Sequence, residues 1–471
     1  MRSRSTSFTS RCCCFHFHKI LISFVRIFNF ARTGRRYYTI LANHQSFLGE
    51  RKWLRVFAGP ELTRCKHVLR KKRLMFAKMC EASVAALSEA LGDETVRSTH
   101  AHGGRCCFPL ARSRKSMTTT PRFAMHAAID PNQPPLAPWN IAAEDFPHNG
   151  STQDKWKFLL RYAVLAPSSH NTQPWLFHIH GNEVELYADR TRACRVADPD
   201  DRELILSCGC ALFHLRSAMA HFGYLGKVEV LPDSDDPDLL ARVAMGVEEE
   251  KSREESILFY AIAKRRTNRQ PFRSDPVSPA LLNHLQEAAA SESCWFRVVA
   301  DEKKRYALAD LIAEGDRRQW SNKRFRLELA AWVHSNRSTA RDGIPGYAQG
   351  VDDLMSCAGP LVVRTFNMGE GQAAKDHELA TGSPVLAVLG TDGNTPRDWM
   401  HAGQALARVL LRARVEDVWA SFLNQAIEVP DLRKRLRSDL GTKGFPQACL
   451  RLGYGEDIKP TPRRGVDEVL I

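Results

Sequence analysis

Two tandem α+β units, each a mainly antiparallel sheet flanked by helices and together forming a pseudo-dimer within one polypeptide, are the fold this 471-residue sequence predicts. Three observations predict it. Trp156, Leu159, Leu160, Ala163 and Val164 recur at i, i+3, i+4, i+7 and i+8, the stripe of a helix turned to a core. The runs "WLFHIH" and "VELYAD" flank Gly181-Asn182, the sequence of a tight hairpin. Finally, the chain resembles itself: "SCGCALFHLRSAMAHFG" has a counterpart in "HAGQALARVLLRARVED", which places Gly209 and Gly403 194 residues apart. A duplicated unit of this size is a fused pair of domains, because solenoid repeats are several-fold shorter.

In chain order, residues 1–124 come first and differ from the rest. They hold 24 Lys and Arg against six Asp and Glu, whereas residues 125–471 hold 43 against 47. The formal net charge of +14 therefore belongs to the first quarter alone. Such a segment reads as a disordered basic extension, an organelle transit peptide, sequence upstream of a start at Met117 or Met125, or a nucleic-acid-binding arm, and composition leaves these open. Its apolar run from Phe15 to Phe30 is broken by Lys19 and Arg26 and is too short for a membrane span. Without aromatic and basic residues interleaved as in a known module, the charge predicts only salt-sensitive, non-specific attraction to nucleic acid. Neither a specific nucleic acid nor a membrane is expected as a partner. The 13 cysteines follow no zinc or disulfide spacing, as expected of reduced thiols in a cytoplasmic protein.

Residues 125–150 are a Pro-rich lead-in. The first unit spans 151–250: a helix that Pro167 stops, the hairpin, a helix from about Asp201 to Phe222, and strands at "KVEVL" and "ARVAMG". The second unit spans 251–471 and repeats that order. Its "LLNHLQEAAASESCWFRVVAD" matches the first helix and strand, "IEVPD" pairs with "EVLPD", and "ACLRLGYG" pairs with "ARVAMG". Between them the connector from His334 to Gly382, with "RDGIPGYAQGVDD" and "NMGEGQAAKD", is long and Gly-rich, the composition of a lid-like insertion.

Three polar clusters carry the chemistry. "PSSHNTQPW", Pro167 to Trp175, sets hydroxyls and amides where a helix meets a strand; a polar turn is the plain reading, a ligand cradle the sharper one. "AKRRTNRQPF" places Arg265, Arg266, Thr267 and Arg269 within five residues, enough to fork-bond one phosphate. In the tail, "KPTPRR" ends on Arg463 and Arg464. Other groups read as packing. His178 and His180 lack a third ligand at metal spacing, so no metal is expected, and Cys208-Gly209-Cys210 suits close helix packing.

Together the three clusters resemble the nitroreductase superfamily of flavoproteins, in particular its fused two-unit Acg-like branch, over residues 150–471. The resemblance implies FMN as cofactor. It also implies hydride supply from NAD(P)H to reduce nitroaromatic or quinone-type acceptors, or alternatively stress-related flavin sequestration without turnover. On that pattern Arg265, Arg266, Thr267 and Arg269 hold the FMN phosphate, Arg463 and Arg464 close over it, and Pro167, Ser168, Ser169, Asn171 and Gln173 line the ring system. The first unit has the Pro-Ser junction but, in "HNGSTQDKWKFLLRY", no Arg element; the second has the Arg element, but its junction is reduced to "ASESCWF". The resemblance thus implies one flavin site built from both halves, with the monomer acting as its own dimer.

Overall fold

The structure is a computed structural model that describes residues 135–246 and 253–471. The readings made for residues 1–124 lie outside the described residues. The described part of the lead-in, from Pro135, runs into α1 (Thr152–Ala163). A capping box starts that helix: Ser151 Oγ accepts from the Asp154 N–H at 3.2 Å, and the Ser151 N–H donates to Asp154 Oδ2 at 3.0 Å. The stripe read from the sequence is its buried face, with Trp156, Leu159 and Leu160 fully enclosed.

After the polar junction come β1 (Trp175–His180) and β2 (Glu183–Ala188), paired antiparallel from Trp175 opposite Ala188 to His180 opposite Glu183. Gly181, at φ 58°, makes the turn. Next is α2 (Arg202–His221), whose first turn is held by Asp198 Oδ2, accepting from the N–H groups of Glu203 and Leu204. Among the described residues it is the one helix long and apolar enough to cross a membrane; 89% of that window is buried inside the fold. Strands β3 (Val228–Val230) and β4 (Leu239–Ala244) complete a sheet of order β1-β2-β4-β3.

The second half starts with α3 (Arg253–Ile262), then α4 (Pro279–Ala290), β5 (Trp295–Val298), α5 (Glu302–Ser321) and α6 (Lys323–Trp332). Two short parallel strands, β6 (Val333–His334) and β7 (Ile344–Pro345), precede α7 (Asp353–Thr365) and α8 (Gly369–Gly382). The chain closes with β8 (Val385–Thr391), α9 (Pro396–Val415), β9 (Trp419–Phe422), α10 (Gln425–Glu428), α11 (Pro430–Asp439) and β10 (Phe445–Gly453). The second sheet has the order β5-β8-β10-β9, wholly antiparallel like the first. Taken in sequence, both sheets follow the same path: first strand, second, fourth, third.

One hydrophobic core spans the two halves, and α2 packed on α9 is its centre. Gly209 and Gly403 are the contact point. A Cβ on Gly209 would lie 2.5 Å from the Met400 carbonyl oxygen and 3.0 Å from Gly403 Cα; one on Gly403 would lie 2.1 Å from the Leu206 carbonyl oxygen and 2.8 Å from Gly209 Cα. Two helix backbones approach this closely only over glycine.

Two sequence expectations are corrected. "IEVPD" is not a strand: it forms the end of α10 and the start of α11, while β9, eight residues earlier, takes the position of β3. Pro430, which has no N–H for a ladder, suits the first turn of α11. The connector 334–382 is mainly helical, not an open Gly-rich loop. Asp352 caps α7 through the Met355 N–H, and Gly371 sits in α8 where an added Cβ would meet nothing within 4 Å.

Candidate functional site: a cationic cleft between the two halves

The junction after α1 is built from backbone that most residues avoid. His170, Asn171 and Gln173 have φ of 51°, 58° and 53°, a left-handed conformation that costs a non-glycine residue about 1 kcal/mol or more. Local bonds hold it. Ser168 Oγ accepts from the Gln173 N–H at 2.9 Å, and Ser169 Oγ donates to Glu203 Oε2 on α2 at 2.5 Å. Ser168, Ser169 and His170 remain partly exposed, whereas Pro167, Asn171 and Gln173 are buried.

Those two amides reach the second half. Asn171 Nδ2 donates to the carbonyls of Gly343 and Pro462, both at 3.0 Å, and its Oδ1 accepts from Arg463 Nη1 at 2.6 Å. Gln173 Nε2 donates to the Arg341 carbonyl at 2.8 Å, and its Oε1 accepts from the Arg464 N–H at 2.8 Å. Side chains expected to line a ring system thus have their polar atoms engaged by the tail and by the 341–343 segment. They position the junction; of the other residues read there, Ser168 and Ser169 are partly exposed and Pro167 is buried.

The Arg element lies along β9, where the Asn268 N–H donates to the Ala420 carbonyl at 3.0 Å. Buried Arg451 on β10 fastens it from behind, donating to the carbonyls of Gln270 (3.0 Å) and Asn268 (3.1 Å). The tail crosses back to the first half, with the Phe177 N–H donating to the Val469 carbonyl at 2.7 Å and the Ile471 N–H to the Phe177 carbonyl at 2.9 Å. On the way Arg463 Nη2 donates to the Ala166 carbonyl at 3.2 Å, and Arg265 Nη2 donates to the Leu165 carbonyl at 3.2 Å. Junction, Arg element and tail, up to 298 residues apart in sequence, meet at one place.

Beside that meeting point opens a cleft of about 190 Å³, lined by the Arg element and the tail and by no residue of the Pro167–Trp175 junction. Arg265, Arg266, Thr267, Arg269 and Arg463 line it, with Lys459 and Thr461 from the tail, Tyr347 from the turn after β7, and Trp139 from the lead-in. Among the described residues Asp457 is the one carboxylate in that lining. Burial pushes Arg265, Arg266 and Arg269 down to about 10, and burial followed by the repulsion of Arg265 and Arg266 lowers Arg463 well below its usual value. At those values the first three remain cations at neutral pH. Arg265 Nε, Arg266 Nε, Arg463 Nε and Arg269 Nη1 are buried without a hydrogen-bond partner. A concave site with surplus positive charge and unpaired guanidinium N–H groups is complementary to a dianion such as a phosphomonoester. The phosphate end of a flavin mononucleotide has that chemistry, and the residues fit it.

Arg464 stands apart from this lining. Its Nη1 donates to the Gln173 carbonyl at 3.1 Å and its Nη2 to the Glu468 carbonyl at 2.5 Å, so it anchors the tail. Sequence reading missed Trp139, Tyr347 and Lys459. Lys459 adjoins the quoted tail motif and was within reach; Trp139 and Tyr347 lie in segments whose only signals were Pro and Gly.

A nitroreductase family model matches residues 262–454. A Mycobacterium tuberculosis protein named among the NAD(P)H nitroreductases is 31% identical over 320 residues, covering 66% of this chain and 90% of its own length. The NAD(P)H nitroreductase-named acg protein of the same organism is 29% identical over 326 residues, covering 68% of this chain and 96% of its own. The crystal structure of the FMN and NADPH-dependent nitroreductase NfnB from Sphigopyxis sp. strain HMH aligns with 45% of this chain and 96% of that one at 20% identity, with a TM-score of 0.30. The chain belongs to the nitroreductase family.

Proposed function

We propose that the chain is an FMN-dependent oxidoreductase that takes hydride from NAD(P)H and reduces nitroaromatic or quinone-type acceptors, with one flavin site assembled from the two halves of an intrachain pseudo-dimer. The observation that carries this reading is the cleft, whose unpaired guanidiniums come from the second half and are anchored on carbonyls at the start of the α1–β1 connection of the first. Relatives named as NAD(P)H nitroreductases support it. FMN bound there supplies the redox chemistry, accepting two electrons from the nicotinamide and passing them to the acceptor.

The chain's own residues bind and orient. Arg265, Arg266, Arg269 and Arg463 neutralise the phosphate, and Thr267 offers a hydroxyl beside it. Ser168 and Ser169, partly exposed, present the junction to the ring system, and buried Pro167 fixes the backbone before them. Asn171 and Gln173 keep junction and tail in register, and the partly enclosed cleft limits water around the guanidiniums. The free thiols of Cys194, Cys208, Cys210, Cys294, Cys357 and Cys449 suit a reducing cytoplasm.

The second reading, flavin sequestration, is favoured by the straps across the 341–347 segment. Asn171 bonds Gly343 in both directions, Arg192 pairs with Asp342, Arg341 with Glu468, and Tyr347 Oη donates to the Pro460 carbonyl. One experiment separates the two. The purified chain is expected to be yellow, to bleach when NADPH is added without oxygen, and to regain colour with a quinone; colour that persists under NADPH but bleaches with dithionite selects sequestration. Replacing both Arg265 and Arg269 by Ala should abolish flavin retention, and a double variant as yellow as the parent refutes the site.

A further inference from the structure

The lead-in belongs to neither four-stranded unit, yet it forms a wall of the cleft. Leu136 is buried, and the Arg463 N–H donates to the Pro135 carbonyl at 3.0 Å. Trp139, at the end of a single 3-10 turn, donates from Nε1 to the Thr461 carbonyl at 2.8 Å. Two guanidinium carbons lie over its ring, that of Arg266 at 4.1 Å from the centroid and that of Arg463 at 4.9 Å.

This arrangement answers a physical difficulty. Arg265, Arg266 and Arg463 stand close together in a buried place: burial and then the neighbouring guanidiniums lower Arg265 and Arg463, while burial lowers Arg266 with Asp457 pulling the other way. Backbone carbonyls hold part of each guanidinium: Arg266 Nη1 donates to Ala263 and Arg265, and Arg463 Nη1 to Pro462. None of those bonds engages Nε, which stays unpartnered in both residues. An aromatic face attracts a guanidinium through its π electrons without using any N–H, so the edge remains available to a ligand.

We propose that Trp139 is a positioning residue of the anion cleft: by stacking on Arg266 and Arg463 it holds two like charges side by side with their free N–H edges available to a phosphomonoester. The proposal rests on the reading of the cleft as the FMN phosphate site. It makes the lead-in a working part of that site, although its residues lie more than 100 positions from the Arg element and more than 300 from the tail.

The test uses the full chain and two variants, Trp139→Phe and Trp139→Leu, with FMN and inorganic phosphate as separate probes in equilibrium dialysis. Phe keeps an aromatic face and loses the Nε1 donor; Leu loses both. Trp139→Phe is expected to bind both probes within about threefold of the parent, and Trp139→Leu at least tenfold more weakly. Phosphate should also change the parent's tryptophan emission, with the change absent from Trp139→Phe. Thermal melts of both variants within a few degrees of the parent exclude a general loss of fold. Equal binding by parent and Trp139→Leu overturns the proposal. So does an equal loss in both variants, which assigns the role to the bond with Thr461. If Trp139→Leu melts early, the emission change and the binding of Trp139→Phe still decide. A parent that binds neither probe overturns the flavin reading itself, an outcome distinct from variants that match a binding parent.

Discussion

The two sheets take the same path through four antiparallel strands, but the junctions that lead into them differ. In the first unit the chain passes from α1 to β1 through eleven residues, with three left-handed non-glycine positions pinned by side chains from elsewhere. In the second it passes from α4 to β5 through Ser291–Cys294, where Ser293 alone is left-handed, at φ 61°. The second unit in turn separates β5 from β8 by four helices, where the first joins β1 to β2 with two residues. What the halves share is the packing that encloses apolar surface. They differ in what they bring to the surroundings of the cleft: one half has the strained junction on which guanidiniums anchor, the other has the guanidiniums, and neither repeats its partner's contribution.

The sharpest way to break the comparison is at its shared point. Gly403→Val places a Cβ 2.1 Å from the Leu206 carbonyl oxygen, and Gly209→Val places one 2.5 Å from that of Met400. Neither backbone can yield without parting α2 from α9, so each variant is expected to lose at least about 3 kcal/mol. Chemical denaturation of both should show similar losses. Gly371→Ala is the control: nothing lies within 4 Å, and a helical alanine there is expected to stabilise by about 0.5–1 kcal/mol. If one glycine of the pair tolerates valine and the other does not, the contact is not the symmetric one the structure describes.

Packing was legible in the sequence because it is periodic. The stripe of α1, the β1–β2 hairpin and the Gly209–Gly403 correspondence all follow from spacing, and α2 was delimited to within a residue at each end. The gathering of junction, Arg element and tail in one place was suggested by family resemblance, and no local signal encodes it, since the bonds joining Asn171 to Arg463 and Arg265 to Leu165 link distant segments. Trp139 and Tyr347 escaped for the same reason. The helices of 353–382 were hidden by glycines that read as loop, and "IEVPD" mimicked "EVLPD" because a proline that ends a strand also suits the first turn of a helix.

The junctions give a second, smaller test. Asn171→Ala removes the donor to Gly343 and Pro462 and leaves Arg463 Nη1 without its carboxamide acceptor, all in buried surroundings. A loss of about 2–3 kcal/mol is expected, together with weaker flavin retention, because the tail that carries Arg463 is no longer held. At the corresponding place in the second unit, exposed Ser291 bonds only its own helix, through the Ala288 carbonyl, and Ser291→Ala is expected to change stability by about 0.5 kcal/mol or less. Urea unfolding of the two variants measures the difference; equal losses would remove the distinction between a working and a vestigial junction.

The helices present in the second unit alone give the smallest effect, through pH. Asp316 on α5 and Asp376 on α8 share the amide of Gln425, which donates to Asp376 Oδ2 at 2.7 Å and to Asp316 Oδ1 at 3.2 Å. Burial, then the neighbouring Asp376 charge, raises the Asp316 carboxyl to about 8, against a reference of 3.8. Burial raises Asp376 too, with Lys375 and Arg451 pulling the other way. Between pH 4 and pH 8 the folded chain therefore keeps a proton at Asp316 that the unfolded chain has released. Bound protons then favour the folded state, so stability falls as pH rises across that window. Asp316→Asn keeps the shape and an Oδ1 acceptor for Gln425 but has no proton to lose. Its melting temperature should match the parent's near pH 5 and exceed it by pH 8, and parallel profiles from pH 5 to pH 9 would show that the pair carries no shared proton. The first unit joins β1 to β2 by a two-residue turn and has no counterpart of these helices, so this dependence belongs to the part of the second unit that the first does not share.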